Sequence, residues 1–208
     1  MRFLITAGGT REYIDPVRFI SNASSGRMGY ALAQAAMRHG HDVVLVTAPT
    51  LLKPPAGADV VAVESSREMF DAVKTHFHEC DCLIMAAAVT DYRPVQRAAR
   101  KLKKGRGPLT LRLKPTLDIL KWAGLHKRPG QVLVGFALED RSVLAAAQRK
   151  LVEKRLDMIV ANTPAAIGRD RSSADILTAD GQHLDIDEQS KQLTARRIIQ
   201  MACERAKA

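Results

Sequence analysis

Four stretches of this chain carry residue types and spacings that suit the handling of phosphates. The first runs Thr6-Ala7-Gly8-Gly9-Thr10-Arg11-Glu12, passes through Asp15-Pro16-Val17-Arg18, and reaches Ser21-Asn22-Ala23-Ser24-Ser25-Gly26-Arg27-Met28-Gly29. Gly8 and Gly9 lack a Cβ and let backbone approach a phosphate closely. Ser24, Ser25 and Gly26 stand just ahead of a helical stretch, where unsatisfied N–H groups and the helix dipole favour an anion. A structural turn with a serine cap would have the same composition, so spacing leaves both roles open. The second stretch is Ala86-Ala87-Ala88-Val89-Thr90-Asp91-Tyr92-Arg93-Pro94. Its small residues at a strand end allow a ligand ring to lie against backbone. Asp91 can hold a ribose hydroxyl, a metal-bound water or a substrate amine, or simply cap a turn. The third is a basic run: Arg97, Arg100, Lys101, Lys103, Lys104 and Arg106 are six cations within ten residues. Such a run serves as a solvated loop, a nucleic-acid contact or a flap over phosphates. It holds no aromatic residue on which a base could stack. In the fourth, Lys150 and Lys154 stand at i and i+4 and share a helix face.

Two familiar phosphate motifs are absent. No Gly-Lys-Ser/Thr follows the first stretch, so it is not a Walker loop. A dinucleotide fingerprint needs its third glycine within a tight strand-to-helix turn, whereas about twenty residues intervene here. An NAD(P)-dependent oxidoreductase would also need a Tyr-x-x-x-Lys pair, and Gln96 occupies that place after Tyr92. His78, Cys80 and Cys82 lack a second Cys or His pair at zinc-site spacing. Cys80 and Cys82 read better as the flanks of a buried strand.

The elements that must position these stretches alternate. Arg2–Thr6, His41–Thr47, Asp59–Val63 and Asp81–Ala86 read as strands, with helices over about 27–39 and from Ser65 to about Glu79. Ser65 and Glu68 have capping-box spacing. This rhythm predicts a parallel sheet covered by helices. In the second half, residues 92–108 are polar and read as an exposed loop. Leu109–Leu113, Gln131–Ala137 and Met158–Ala161 read as strands, and Asp118–Leu125 and Ser142–Arg155 as helices. Asp180-Gly181 between two β-like runs, 176–179 and 183–186, signals a hairpin, and a last helix runs from Ser190 to about Ala206. The fold class is therefore α/β: a doubly wound, Rossmann-like, mainly parallel sheet with a mixed or antiparallel C-terminal extension, all in one domain over residues 1–208. Ligands of such sheets bind beyond the carboxyl ends of the strands, where the first two stretches leave the first and fourth strands.

Composition sets outer bounds. Apolar residues are 46% of the chain but aromatics only 4%, so Leu, Ile, Val and Ala must fill the core. A formal charge of +10 predicts anionic partners. No run approaches the roughly 18 uninterrupted apolar residues of a membrane helix, and the N-terminus does not read as a signal peptide. Three cysteines without a framework fit a reducing compartment, so a cytoplasmic protein without membrane attachment is expected.

Taken in order, these stretches, with Ile14 to Asn22, Lys101-Leu102-Lys103-Lys104, Gly135-Phe136-Ala137 and Lys150 through Asp157, resemble the phosphopantothenate–cysteine ligase family, the synthetase half of the bacterial bifunctional coenzyme A protein. The resemblance runs over nearly the whole chain. It implies a two-step reaction. The carboxylate of 4′-phosphopantothenate attacks the α-phosphorus of CTP, giving an acyl nucleotidylate and pyrophosphate. The amine of L-cysteine then displaces CMP. The bacterial type uses CTP with Mg²⁺, the eukaryotic type can use ATP, and a homodimer is implied. Residue by residue, Asn22 matches the asparagine that contacts the acyl nucleotidylate and supports its aminolysis. Lys101 matches a lysine on a flexible flap near the reacting phosphate. Ala87, Asp91, Phe136, Lys150 and Lys154 match nucleotide-site positions. Thr116, Asp118 and Ile119 lie in Lys114-Pro115-Thr116-Leu117-Asp118-Ile119-Leu120, which resembles a Pro-Asp-Ile-Leu nucleotide contact except that Leu117 replaces the proline. Ser172 stands where the family often has asparagine. Both departures loosen the inference about which nucleotide is used. The flavin-dependent decarboxylase half has no counterpart in this sequence, so no flavin is expected. The competing readings are an NAD(P)-dependent oxidoreductase on a similar sheet and an RNA-binding module suggested by charge alone; no nucleic-acid partner is expected.

Overall fold

The structure, a computed structural model, describes residues 1–206. Its first strand, β1 (Arg2–Ala7), is fully buried from Phe3 to Ala7, as a strand covered on both faces must be. The segment after it is not featureless loop: β2 (Arg11–Tyr13) and β3 (Phe19–Ser21) form a short antiparallel hairpin. There follow α1 (Arg27–Arg38), β4 (Asp42–Thr47), β5 (Asp59–Ala62), α2 (Ser66–Phe77) and β6 (Cys82–Met85). The expected capping box at α2 is present, with Ser65 and Glu68 each bonding the other's backbone N–H. The middle of the chain contributes β7 (Tyr92–Pro94), β8 (Leu113–Pro115), α3 (Ile119–His126), β9 (Val132–Leu138) and α4 (Val143–Glu153). The chain closes with β10 (Met158–Asn162), a 3-10 turn at Pro164–Ala166, β11 (Arg171–Thr178), β12 (His183–Ser190) and α5 (Lys191–Arg205).

Among the described residues, eight strands form one sheet in the order β12-β11-β10-β9-β6-β1-β4-β5. The six from β10 to β5 pair in parallel, while β11 and β12 add antiparallel at the edge. Chain direction across the parallel part reverses between β1 and β6, the topological switch point where doubly wound folds open a crevice. Strand alternation divides the core. Phe3, Ile5 and Ala7 face α1 and α5; Leu4, with Val44 and Val46, faces α2, α3 and α4. The few aromatics gather in the second layer, where Trp122 packs against Phe70 and Phe77.

Three expectations need correction. The β2–β3 hairpin goes unread in the sequence because each strand is only three residues long and mixes polar with apolar side chains, too short for a period to show. The run Leu109–Leu113 alternates like a strand, but only β8 at its end is paired, and Leu109 and Leu111 are exposed. Ile176–Ala179 and His183–Ile186 prove to be parts of longer strands with a register shift between Ser172 and Ala174. Cys80 and Cys82 are buried, and burial pushes the Cys80 thiol up to about 11. Among the described residues no group of three His, Cys, Asp or Glu side chains stands ready for a metal, and no helix is long and apolar enough to cross a membrane.

Candidate active site

The loops leaving β1 and β6 are sewn into one structure at the switch point. The Ala88 N–H donates to the Gly8 carbonyl at 2.8 Å, and the Thr10 N–H to the Ala88 carbonyl at 3.3 Å. Thr10 and Thr90, both buried, share a hydroxyl hydrogen bond at 3.0 Å, and each also bonds the other's segment through backbone: the Thr90 N–H donates to Thr10 Oγ1 and the Thr90 hydroxyl to the Thr10 carbonyl. Asn22 joins this seam, its Nδ2 donating to the Val89 carbonyl at 3.2 Å. Gly9 makes room for it, since a Cβ there would sit 2.8 Å from the Asn22 carbonyl oxygen. The Thr116 hydroxyl donates to the Thr90 carbonyl at 2.7 Å and the Thr116 N–H to the Asp91 carbonyl at 2.9 Å. The stretch before α3 is thereby tied to the same seam.

Two acids of the first stretch act as braces. Glu12 is buried and accepts from the Ser66 N–H at 2.7 Å, satisfying one open donor at the start of α2. Asp15 is fully buried and accepts from the N–H groups of Val17 and Arg18 at 2.8 Å and of Leu102 at 3.1 Å. The Arg18 guanidinium pairs with it at 2.6 Å and also donates to the Leu102 carbonyl. Burial alone would raise the Asp15 pKa, but the three N–H donors and Arg18 outweigh it and hold the carboxyl well below the usual range. The basic loop is thus anchored at Leu102, next to Lys101.

On one side of the seam α1 begins. Gly26 is left-handed at its N-cap, no side chain caps the helix, and its first turn has no acid, so the helix end is open to an anion. On the other side α4 and α3 present Lys150, Lys154 and Asp118. Lys150 Nζ bonds Glu139 Oε1 at 2.6 Å and Lys154 Nζ lies 2.9 Å from Asp118 Oδ2. Asp118 also caps α3 through the Lys121 N–H at 2.9 Å. Gly124 permits this junction, because any Cβ there would lie 1.9 Å from the Lys154 carbonyl oxygen.

These groups surround one cavity of about 890 Å³. Of the residues singled out from sequence, Asn22, Ser24, Ser25, Gly26, Ala87, Asp91, Thr116, Asp118, Ile119, Phe136, Lys150 and Lys154 line it. Gly8, Gly9 and Lys101 are not in its lining. Gly8 has φ +81° and packs on the Ala48 carbonyl, where a Cβ would come within 2.7 Å. It and Gly9 shape the walls rather than face the cavity. Lys101 is exposed on its loop. The sequence reading missed Arg27 as a lining residue, and with it Asn162, the 166–168 segment and Lys191. Asn162 ends β10, the 166–168 segment and Lys191 flank the antiparallel strands, and no local motif marks any of them.

Residues 1–205 match the family described as DNA/pantothenate metabolism flavoprotein C-terminal domain. The coenzyme A biosynthesis bifunctional protein CoaBC of Bacillus subtilis (strain 168) is 43% identical over 202 residues, which cover 95% of this chain and 50% of that protein. A protein of an unknown prokaryotic organism, named cysteine/cysteine sulfinic acid decarboxylase, is 48% identical over 163 residues, 78% of this chain and 45% of that protein. The chain therefore spans about half the length of these curated relatives. The crystal structure of the C-terminal domain of a CoaBC protein is 40% identical and superposes with a TM-score of 0.86, covering 100% of this chain and 96% of that one.

Proposed function

Because this chain belongs to the DNA/pantothenate metabolism flavoprotein C-terminal domain family, we propose that it joins 4′-phosphopantothenate to L-cysteine through an acyl nucleotidylate, consuming CTP and releasing CMP and pyrophosphate. The observation that carries this reading is the convergence of three separate stretches on one cavity at the switch point, with Asn22 fixed between them through Val89. In this reading Ala87, Asp91, Thr116, Asp118, Ile119 and Phe136 receive the nucleoside. Lys150 and Lys154 attract its charge, and Ser24, Ser25 and Gly26 offer the open start of α1 to phosphate. Asn22 donates a hydrogen bond to the acyl phosphate while the cysteine amine attacks. Lys101 closes over the reacting phosphate from its loop, where positive charge has most effect as negative charge develops.

A divalent ion fits the same site. Mg²⁺ binds through one or two carboxylates plus substrate phosphates rather than in an all-protein cage. Asp91 and Asp118 are the two aspartates in the cavity's lining, and no cluster of three ligands exists among the described residues. When bound, the ion would neutralise phosphate charge. Flavin has no part in the proposal. The sheet order is also that of dinucleotide-binding folds, but residues 8–26 replace the tight glycine turn that a dinucleotide pyrophosphate requires.

The test is incubation with 4′-phosphopantothenate, cysteine and each of the four common nucleoside triphosphates in turn, assaying monophosphate and pyrophosphate. Pyrophosphate release that needs phosphopantothenate, fastest with CTP, is expected. Equal or faster turnover with ATP would overturn the nucleotide assignment. Carbon dioxide release from cysteine without nucleotide consumption would point instead to the activity in the other relative's name.

A further inference from the structure

Lys150 and Lys154 stand one turn apart at the end of α4 and line the same cavity, but the acids that hold them differ in place. Asp118, 2.9 Å from the Lys154 ammonium, lines the cavity itself, and its side chain is 43% exposed. A ligand in the cavity can meet that acid as well as its lysine. Glu139, 2.6 Å from the Lys150 ammonium, is not among the described residues that line the cavity, and its side chain is 23% exposed. It stands behind Lys150, so a ligand meets the lysine and not the acid.

The sheet fixes Glu139. The residue directly follows β9, and its N–H donates at 3.0 Å to the carbonyl of Asn162, the last residue of β10. Leu138 and Asn162 are already paired across these strands, so the ladder continues to the backbone from which the Glu139 carboxylate extends. A fixed carboxylate beside a lysine has three effects. A lysine stem loses much rotamer freedom when its ammonium is held, and a charge-assisted bond within the protein takes that loss before a ligand arrives. The bond uses one of the three ammonium donors and leaves two for the cavity. Finally, two ammonium groups at i and i+4 repel, and a carboxylate on each lets both remain charged on one wall.

We propose that Glu139 is a positioning residue, which sets the rotamer of Lys150 from behind and thereby the affinity of the cavity for a nucleoside triphosphate, without touching the nucleotide. This rests on the proposed function for the identity of the ligand, and it extends the site to an acid outside the cavity's lining.

The test compares the unsubstituted protein with Glu139→Gln, Lys150→Met, the double variant and Asp140→Asn. Each is titrated calorimetrically with CTP, then assayed for pyrophosphate release with phosphopantothenate and cysteine present. Asp140 is exposed beside Glu139 and controls for bulk charge. Glu139→Gln keeps the shape and should weaken CTP about threefold to tenfold, a common coupling between side chains in contact. The KM for CTP should rise by the same factor while kcat holds, because Glu139 meets no reacting atom. Lys150→Met should weaken CTP at least as much, and adding Glu139→Gln to it should change nothing further. Asp140→Asn should behave as the unsubstituted protein does. Unchanged affinity in Glu139→Gln would make the pair an ordinary surface ion pair, and tighter binding would make Glu139 a competitor of the ligand; either result overturns the positioning role. Losses that add in the double variant, or an equal loss in Asp140→Asn, overturn it as well. In all of these cases pyrophosphate release by the unsubstituted protein leaves the proposed function standing. An unsubstituted protein that neither binds CTP nor releases pyrophosphate overturns both.

Discussion

Asp15 ties a hairpin to a loop more than eighty residues away, through the Leu102 N–H. Its folded pKa is depressed, so the stabilisation it contributes is present above the unfolded value of about 3.9 and is lost as pH falls through the lower folded value. Denaturant midpoints measured across an acid pH series should therefore drop for the unsubstituted protein. Asp15→Asn, which keeps the shape but loses the charge, should be less stable at neutral pH and flatter toward acid. Parallel pH profiles for the two proteins would show that Asp15 is not the acid-sensitive brace. Asn22 offers a second test. An amide can donate to an acyl phosphate; a carboxylate cannot, and it adds repulsion. Asn22→Asp should form the acyl nucleotidylate but pass it slowly to cysteine, so that the intermediate accumulates and is seen by mass spectrometry. A variant as fast as the parent, or one that never makes the intermediate, removes Asn22 from that role. At this scale the sequence marked residue type better than task. Glu12 and Asp15 sit inside a motif full of phosphate-binding signals, yet both are bonded to backbone, of Ser66 and of residues up to Leu102. Partners as distant as Ser66 and Leu102 leave no local spacing to read, although the bonds of Asp15 to Val17 and Arg18 are local. The same holds for Lys191, whose place in the cavity depends on α5 packing beside α1.

The elements follow periodicity where periodicity reports burial. The inner strands of the parallel sheet were visible as apolar runs because they are covered on both faces, and the edge strand β5 as a short run although it is largely exposed. The β2–β3 hairpin was not, because its two three-residue strands are too short to show a period. The basic loop between β7 and β8 is the element whose role matters most for the proposed chemistry. It is fastened at its start by the Ala98 N–H on the Ile14 carbonyl at 2.9 Å and near its middle by Leu102 on Asp15. Lys101 thus leaves the fold from a fixed anchor while its side chain is exposed. Removing an exposed loop charge changes stability by within about 0.5 kcal/mol. Losing a positioned donor to a transition state that gathers charge costs on the order of a hundredfold in rate. Lys101→Gln should accordingly collapse turnover while the melting temperature holds. Lys103→Gln and Lys104→Gln carry the same charge change in the same loop, and should retain most activity. Three variants that behave alike would reduce the effect to bulk charge and remove the special role of Lys101.

At the scale of the whole molecule, the misread strand has an explanation. Leu109, Leu111 and Leu113 alternate as a half-buried strand does, yet all three are exposed, and so are Val17, Phe19, Tyr92 and Val95. These residues belong to one region. The Val95 N–H bonds the Arg112 carbonyl at 2.9 Å, β7 pairs with β8, and Arg97 stacks over the Tyr13 ring at 4.9 Å beside Phe19. Exposed apolar side chains that gather in one region, rather than scattering singly, mark an interaction surface. The resemblance implies a homodimer, and we propose that this region is covered by a second copy of the chain. A twofold contact would use the same patch on both partners, and a stable one buries about 1,200–2,000 Å² in total. Light scattering at micromolar concentration should therefore give the mass of two chains. Val17→Glu combined with Leu111→Glu would place charges within the contact and should shift the mass to that of one chain, with the melting temperature falling as the association is lost. Both positions are already exposed in the single chain, so the substitutions leave its own core intact. A parent protein that is monomeric under these conditions would overturn the dimer; a double variant that remains dimeric would move the interface elsewhere and leave the alternating leucines unexplained.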